Sequence, residues 1–144
     1  MNNFLKELFD YNLWAVQRQV QDLARAEEVC KQSSSISFGS IYGLAQHLHY
    51  HDLKTYQKIT DPLNTEKPPK EYAWEILLPS MLLQATQWLA LVANYQIDAN
   101  SAKELQLVYT HNVYHRGQIA AALALAGVKT NSLDPYLYAD KAKS

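Results

Sequence analysis

Two histidines spaced four residues apart, His111 and His115, are the part of the sequence best suited to chemistry. They lie in a segment, residues 101–126, whose apolar residues recur every three or four positions, which predicts a helix. Residues four apart share one face of a helix, so both imidazoles can reach a metal ion about 2 Å from each ring nitrogen. The pair alone is a weak signal, because histidine is also a common buried core residue.

A third imidazole is available from a second predicted helix, which carries His47, His49 and His51. His47 and His51 share one flank of its apolar stripe and His49 lies towards the other, so His47 and His51 compete for the role of third ligand. Three imidazoles leave one position on a divalent ion open, where zinc lowers the pKa of a bound water to about 7. Zinc or nickel is the expected ion, with iron or manganese as alternatives.

Metal-bound histidines donate their other ring N–H to an oxygen, and the side chains available for this are Asp52, Asn112 and Gln118. Arg116 adjoins a candidate ligand in sequence but points about 100° away from it on a helix, which favours a structural ion pair over catalysis.

The elements that position these residues are all predicted to be helical. The chain has 144 residues with only 4 Gly and 5 Pro, which suits one domain, 1–144, built from long helices. Amphipathic stripes predict a four-helix bundle whose helices cover residues 3–31, 40–59, 79–97 and 101–126. Residues 60–72 contain three prolines and form a long crossover between the second and third helices, and the tail forms a short C-terminal turn or helix.

Local signals set the predicted helix ends. Ser37 or Ser40 caps the second helix, and Pro79 opens the third because proline is tolerated only in a first turn. Ser101 and Glu104 form a capping box for the fourth helix, and the short turn before it makes the third and fourth helices antiparallel neighbours.

Composition excludes several classes of function. Net charge is −1 with no basic stripe, so nucleic-acid binding lacks its electrostatic footprint. The single cysteine, Cys30, excludes an intrachain disulfide and a cysteine-based zinc ribbon. No apolar run reaches about 18 residues and no signal-peptide pattern is present, so no membrane and a cytoplasmic location are expected. A homodimer is the expected assembly, since symmetric dimers are the commonest oligomers.

Four stretches resemble one known family. They are Asp10-Tyr-Asn-Leu-Trp-Ala, Ser37-Phe-Gly-Ser-Ile-Tyr-Gly-Leu-Ala-Gln-His47-Leu, His111-Asn-Val-Tyr-His115-Arg-Gly-Gln and Leu133-Asp-Pro-Tyr-Leu-Tyr. In these motifs the chain resembles the DinB-like (damage-inducible) family of metal-binding four-helix bundles.

The resemblance implies that the metal ligands are His47, His111 and His115, which leaves His51 as a flanking residue or a group that supports the ligands from outside. It also implies a divalent-metal-dependent enzyme acting on a small molecule, either a hydrolase or a transferase that uses a low-molecular-weight thiol. No catalytic group beyond a metal-bound water or thiolate is identified. The alternative is a non-catalytic, dimeric metal-binding bundle.

Overall fold

The computed structural model describes residues 2–142, and within that range the chain is all-helical, without β-strands. A single 3-10 turn, Ser37–Gly39, precedes the third helix. The helices are α1 Asn2–Ala24, α2 Glu27–Lys31, α3 Ile41–Thr60, α4 Trp74–Asn94, α5 Ala99–Leu125 and α6 Pro135–Ala142.

The four long helices pack mainly as two antiparallel pairs, α1 with α4 and α3 with α5. Phe9 near the start of α1 contacts Trp88 near the end of α4, with ring centroids 5.8 Å apart. Lys58 near the end of α3 bonds to Glu104 near the start of α5 at 2.6 Å. The second pair carries all five histidines, so its register decides which of them meet.

The connection from α3 to α4, residues 61–73, returns along α3. At its beginning, Gln57 Nε2 donates hydrogen bonds to the carbonyl oxygens of Asn64 and Glu66. At its end, the Tyr72 backbone N–H donates to Gln46 Oε1 at 2.6 Å. Trp74 then stacks on Tyr42. Both helices therefore run in the same direction, with α4 beginning beside the start of α3.

The prediction that the short turn makes α4 and α5 neighbours is wrong, because these two helices have almost no direct contact. The turn crosses the end of the bundle diagonally. Trp88 of α4 and Leu105 of α5 still share one apolar cluster, but each helix takes its main contacts from a different partner.

The core contains two apolar clusters with buried polar residues between them. One cluster surrounds Leu23 and Leu77, and the other surrounds Phe9 and Trp88. Along α1, α3 and α5, the positions between these clusters hold polar side chains that are at most 6% exposed, here called the polar layer: Asn12, Asp52, Asn112 and Arg116. Polar groups in such a place stabilise the fold only when they are hydrogen-bonded.

Two predicted helix boundaries are wrong because core packing overrides local signals. The segment predicted as one helix, 3–31, breaks at Ala26, whose φ of −134° is non-helical, and the break turns Ala26 and Cys30 into the core. The third predicted helix begins at Trp74, so Pro79 lies inside α4. An interior proline costs about 3 kcal/mol, and the burial of Trp74 and Leu77 before it offsets that cost.

Side-chain caps fix the starts of α3 and α5. Ser40 caps α3, as one of the two predicted residues, because its Oγ accepts from the Gly43 N–H at 2.9 Å. The predicted capping box is wrong: Asp98 caps α5 by accepting from the Ser101 N–H at 2.7 Å, and Glu104 pairs with Lys58 instead. The aspartate precedes the serine by one turn, so α5 begins two residues earlier than predicted.

The tail forms α6 and covers α1 with aromatic side chains. Tyr138 contacts Tyr11 and Trp14, with ring centroids 5.8 and 5.4 Å apart. The Tyr11 hydroxyl donates to the Leu133 carbonyl oxygen at 2.7 Å. The predicted short C-terminal helix is present and is anchored on the outer face of α1.

By length and composition alone, α4 is apolar enough to cross a membrane, with a mean hydropathy of 1.5 over its most apolar window. This corrects the expectation that no segment would qualify. Residues buried inside the fold make up 44% of that window, and α4 packs along α1, as a core helix does.

Candidate metal centre

The α3–α5 pair brings three histidines together. His111 and His115 lie one turn apart on α5, and His47 faces them from α3. The Nε2 atoms of His47 and His111 are 3.3 Å apart, and one ring nitrogen from each of the three residues lies within 4.8 Å of the others. These three residues are called the histidine cluster below.

The geometry of the histidine cluster fits one metal ion. Two ligands about 2.05 Å from a tetrahedral ion are separated by about 3.3 Å, which matches the His47–His111 distance. The three rings are inclined to one another by 61°, 88° and 79°, so they meet at their edges instead of stacking. A nitrogen–nitrogen separation of 3.3 Å also allows one hydrogen bond between the two rings, so the convergence of the third ring is what indicates an ion.

Gln118 orients one ring of the cluster. His115 Nδ1 is 2.7 Å from Gln118 Oε1. A carbonyl oxygen can only accept a hydrogen bond, so Nδ1 carries the proton and the Nε2 lone pair is free for a metal. An outer acceptor of this kind fixes the tautomer and raises the basicity of a ligating histidine.

The environment keeps the imidazoles of His47 and His111 neutral. Burial, followed by the nearby His51 and His115, lowers the pKa of His47 to about 4. Burial and the neighbouring histidines likewise lower the pKa of His111 to about 4. Metal binding requires unprotonated imidazole, so at neutral pH these residues need lose no proton before binding an ion.

His51 lies beside the histidine cluster without belonging to it. Its ring centroid is 4.6 Å from that of His47 and 4.8 Å from that of His111. Its ring nitrogens are not among those that converge. Burial, then the charges of Lys54 and His115, lowers its pKa.

Phe38 covers His47 from the loop before α3. The two rings are stacked, with centroids 3.9 Å apart and planes inclined by 17°. Phe38 has a φ of +66°, a left-handed conformation unusual for a bulky residue. A Cβ on Gly43 would lie 2.2 Å from the Phe38 carbonyl oxygen, so only glycine lets this loop approach α3 so closely.

The remaining predicted supporting residues belong to the polar layer. Asp52 and Asn112 have no hydrogen bond to the histidine cluster within residues 2–142. Desolvation raises the pKa of Asp52 to about 7, although Asn112, Arg116 and Trp88 act in the opposite direction.

Arg116 is 3% exposed and donates from Nη1 to Asn12 Oδ1 at 2.6 Å. In the described part of the chain no carboxylate lies within ion-pair distance of it. The predicted ion pair is therefore not found in the described residues, and the guanidinium bonds to an amide instead of an acid.

Three clefts border the site, and His51 lines all of them. One, about 440 Å³, lies beneath Phe38 and contains His47 and Tyr50. A second of about 440 Å³ is bounded by His111, Leu107 and Tyr114, and a third of about 550 Å³ by the connection after α3. A larger cleft, about 700 Å³, lies at the other end of α3 and contains no histidine.

Sequence reasoning missed Phe38 as a site residue. Phe38 itself lies in a motif singled out for its resemblance, but no site role was assigned to it, because a left-handed phenylalanine has no signal in composition or periodicity. The sequence feature that could have pointed to this loop is Gly43. A glycine in the first turn of a helix indicates that another backbone segment approaches closely there.

The comparisons with known proteins give one match. No curated protein and no solved structure matches the chain. The DinB family matches residues 1–143, nearly the whole chain and all four motifs. Together with the helical fold and the converging histidines, this match shows that the chain belongs to the DinB family.

Proposed function

We propose that this protein binds one divalent metal ion through His47, His111 and His115 and uses it to activate a small molecule. The observation that carries the proposal is the convergence of three imidazoles from two helices within 4.8 Å. An all-imidazole set suits zinc, nickel or iron and gives no preference by affinity order alone.

The clefts around the histidine cluster support catalysis over a purely structural metal site. Structural sites are closed by four protein ligands, whereas catalytic sites keep one position open. Here three histidines converge, and the clefts beside them reach His47 and His111. When bound, such an ion lowers the pKa of a water or thiol at the open position, which serves hydrolysis or thiol-dependent transfer.

The surrounding residues of the chain prepare the ligands. Gln118 holds the Nδ1 proton of His115. Phe38 covers one face of the His47 ring, which restricts its rotation and limits access of water from that side. Leu107 and Tyr114 supply an exposed apolar wall beside His111 for the carbon skeleton of a substrate.

The test compares His115→Ala with His49→Leu. His49 is buried outside the cluster, so this control also removes one histidine. Elemental analysis of protein purified without a histidine tag is expected to give one ion per chain for the wild type and the control, and below about 0.1 for His115→Ala. Equal metal content in His115→Ala would exclude this site.

Catalysis is tested with metal-loaded protein on an activated aryl ester and on an aryl halide with a simple thiol. Turnover that is lost in His115→Ala and kept in His49→Leu supports an enzyme. Metal binding without turnover of either probe supports the non-catalytic alternative.

A further inference from the structure

His51 is as close to the histidine cluster as its members are to one another. The three ring-centroid distances within the cluster are 5.2, 4.9 and 4.4 Å. His51 lies 4.6 Å from His47 and 4.8 Å from His111. A fourth imidazole at this distance lies within reach of any molecule bound beside the other three.

Each neighbouring ring engages one of its nitrogens, whereas both ring nitrogens of His51 are without a partner in the described residues. His47 and His111 face each other through Nε2, and His115 is bonded to Gln118. His51 has no hydrogen-bond partner anywhere in residues 2–142. A neutral imidazole offers one N–H donor and one acceptor, and both are available here.

His51 lies where its free donor and acceptor can reach a molecule bound in the clefts. It is the residue that the three clefts beside the cluster have in common. Its ring nitrogens lie outside the converging group, so in this arrangement it is not a fourth metal ligand. A side chain at such a junction contacts a bound small molecule whichever cleft the molecule enters.

We infer that His51 is a ligand-binding residue of this centre, which holds by a hydrogen bond the small anionic molecule that occupies the open side of the histidine cluster. The inference rests on the proposed metal site. Lys54, one turn further along α3, is exposed and forms no ion pair in the described part of the chain. It supplies the positive charge that favours an anion at this position.

The experiment uses the full chain loaded with Co²⁺, whose visible spectrum reports the ligands around the ion, with sodium azide as the probe. The variants are His51→Ala, His51→Gln, Lys54→Met and, as matched control in two of the same clefts, Thr55→Ala. Both His51 variants are expected to bind one Co²⁺ per chain.

Azide affinity is expected to fall about tenfold in His51→Ala, because one hydrogen bond to a charged group is lost. His51→Gln should recover part of the loss, since glutamine keeps a donor. Lys54→Met should weaken binding about threefold at low salt and by less at high salt. Thr55→Ala should stay within twofold of the wild type.

Three results would overturn the inference. Unchanged azide affinity in His51→Ala would show that His51 does not contact the ligand. Tighter azide binding would show that His51 competes for the open position, and loss of Co²⁺ would make it a metal ligand. Failure of the wild type to bind Co²⁺ would instead overturn the proposed metal site itself, and the role of His51 with it.

Discussion

The histidine cluster and the polar layer are two polar regions that α5 builds from adjacent positions. His111 lines a cleft and His115, which is 6% exposed, lies one turn further along in the histidine cluster, while Asn112 and Arg116, each one residue beyond these histidines, are buried between the apolar clusters. One step along a helix is a rotation of about 100°, enough to take a side chain from a cleft into the core. The same helix therefore carries both a candidate reactive surface and a buried polar contact.

The two regions differ in how their polar atoms are satisfied. In the cluster, ring nitrogens converge and remain available, and the low pKa values of His47 and His111 keep them neutral. In the polar layer each side chain has a polar atom without a partner within residues 2–142. Unpaired polar atoms near a cleft can serve binding, whereas those in the core lower stability. Substitutions in the polar layer should therefore lower the free energy of unfolding, and substitutions in the histidine cluster should weaken metal binding.

The largest loss of stability is expected when Arg116, the cationic residue of the polar layer, is replaced. Arg116→Met leaves Asp52 buried without a nearby positive charge and breaks the bond to Asn12. The free energy of unfolding should fall by about 3 kcal/mol, as measured by urea denaturation at pH 7.5. Arg18→Met, which removes a partly buried arginine with a solvent-exposed bond to the Ser132 carbonyl oxygen, should cost less than about 1 kcal/mol. Equal losses would mean that the layer contributes no more than the surface.

Removing a ligand of the histidine cluster should abolish the stabilisation by metal and leave the stability of the metal-free protein almost unchanged. With zinc at one hundred times its dissociation constant, the wild type should gain about 2.7 kcal/mol in the free energy of unfolding. His111→Ala should show no zinc-dependent gain, because two imidazoles remain. The stability of the metal-free variant should stay close to that of the metal-free wild type. A persistent gain in the variant would place the ion elsewhere.

A smaller effect is expected at the residue that orients His115. Gln118→Ala removes the acceptor for the Nδ1 proton and should weaken zinc binding about 10- to 100-fold without changing the stoichiometry. Gln118→Glu keeps an acceptor oxygen and should remain within a few-fold of the wild type. Competition with a chromophoric chelator measures both. A loss of similar size in Gln118→Glu would point to packing as the cause.

The pH dependence of stability should separate the buried groups by sign. Burial lowers the pKa of His49 to about 4, so between about pH 4 and 6.5 the unfolded chain binds more protons and stability rises with pH. The pKa of Asp52 is raised to about 7, so between pH 3.8 and 7 the folded chain binds more protons and stability falls with pH. His47 and His111 act in the same sense as His49.

The metal-free wild type should therefore gain stability from pH 4.5 to 6.5, since the four histidines with lowered pKa values, which include His51, oppose one aspartate. Each fully buried group contributes at most about 1.4 kcal/mol per pH unit, and His47 and His111 contribute less because they are only partly buried. His49→Leu should make the slope shallower and Asp52→Asn should make it steeper, in urea titrations at fixed pH. Slopes that move in the same direction would contradict these assignments.

Periodicity was enough to predict the helical fold and the face on which the histidines lie. The spacing of His111 and His115 and the apolar stripe around them depend only on the 3.6-residue turn, which is a local property. The distance between His47 and His111 depends on the register of α3 against α5, which side-chain packing decides. Without the family resemblance, the sequence left His47 and His51 equivalent.

Two of the predictions that failed share one physical cause. The helix start at Pro79 and the continuous first helix were both inferred from local preferences of about 1 to 3 kcal/mol. Burial of Trp74, Ala26 and Cys30 outweighs those preferences in the folded chain. The polar layer could not be predicted either, because Asn12, Asp52 and Arg116 become neighbours only through tertiary packing.

The contacts between the C-terminal tail and the outer face of α1 can form only late in the synthesis of the chain. The bond from Tyr11 to the Leu133 carbonyl oxygen joins residues 122 positions apart. At about 5–20 residues per second, a ribosome takes roughly 6–24 s to add that much chain. Throughout that interval the nascent α1 exposes Trp14 and leaves Asp22 without Asn131. Among the described helices, α1 is made before the others and acquires its outer contacts last, so this is the interval in which chaperone binding would protect it.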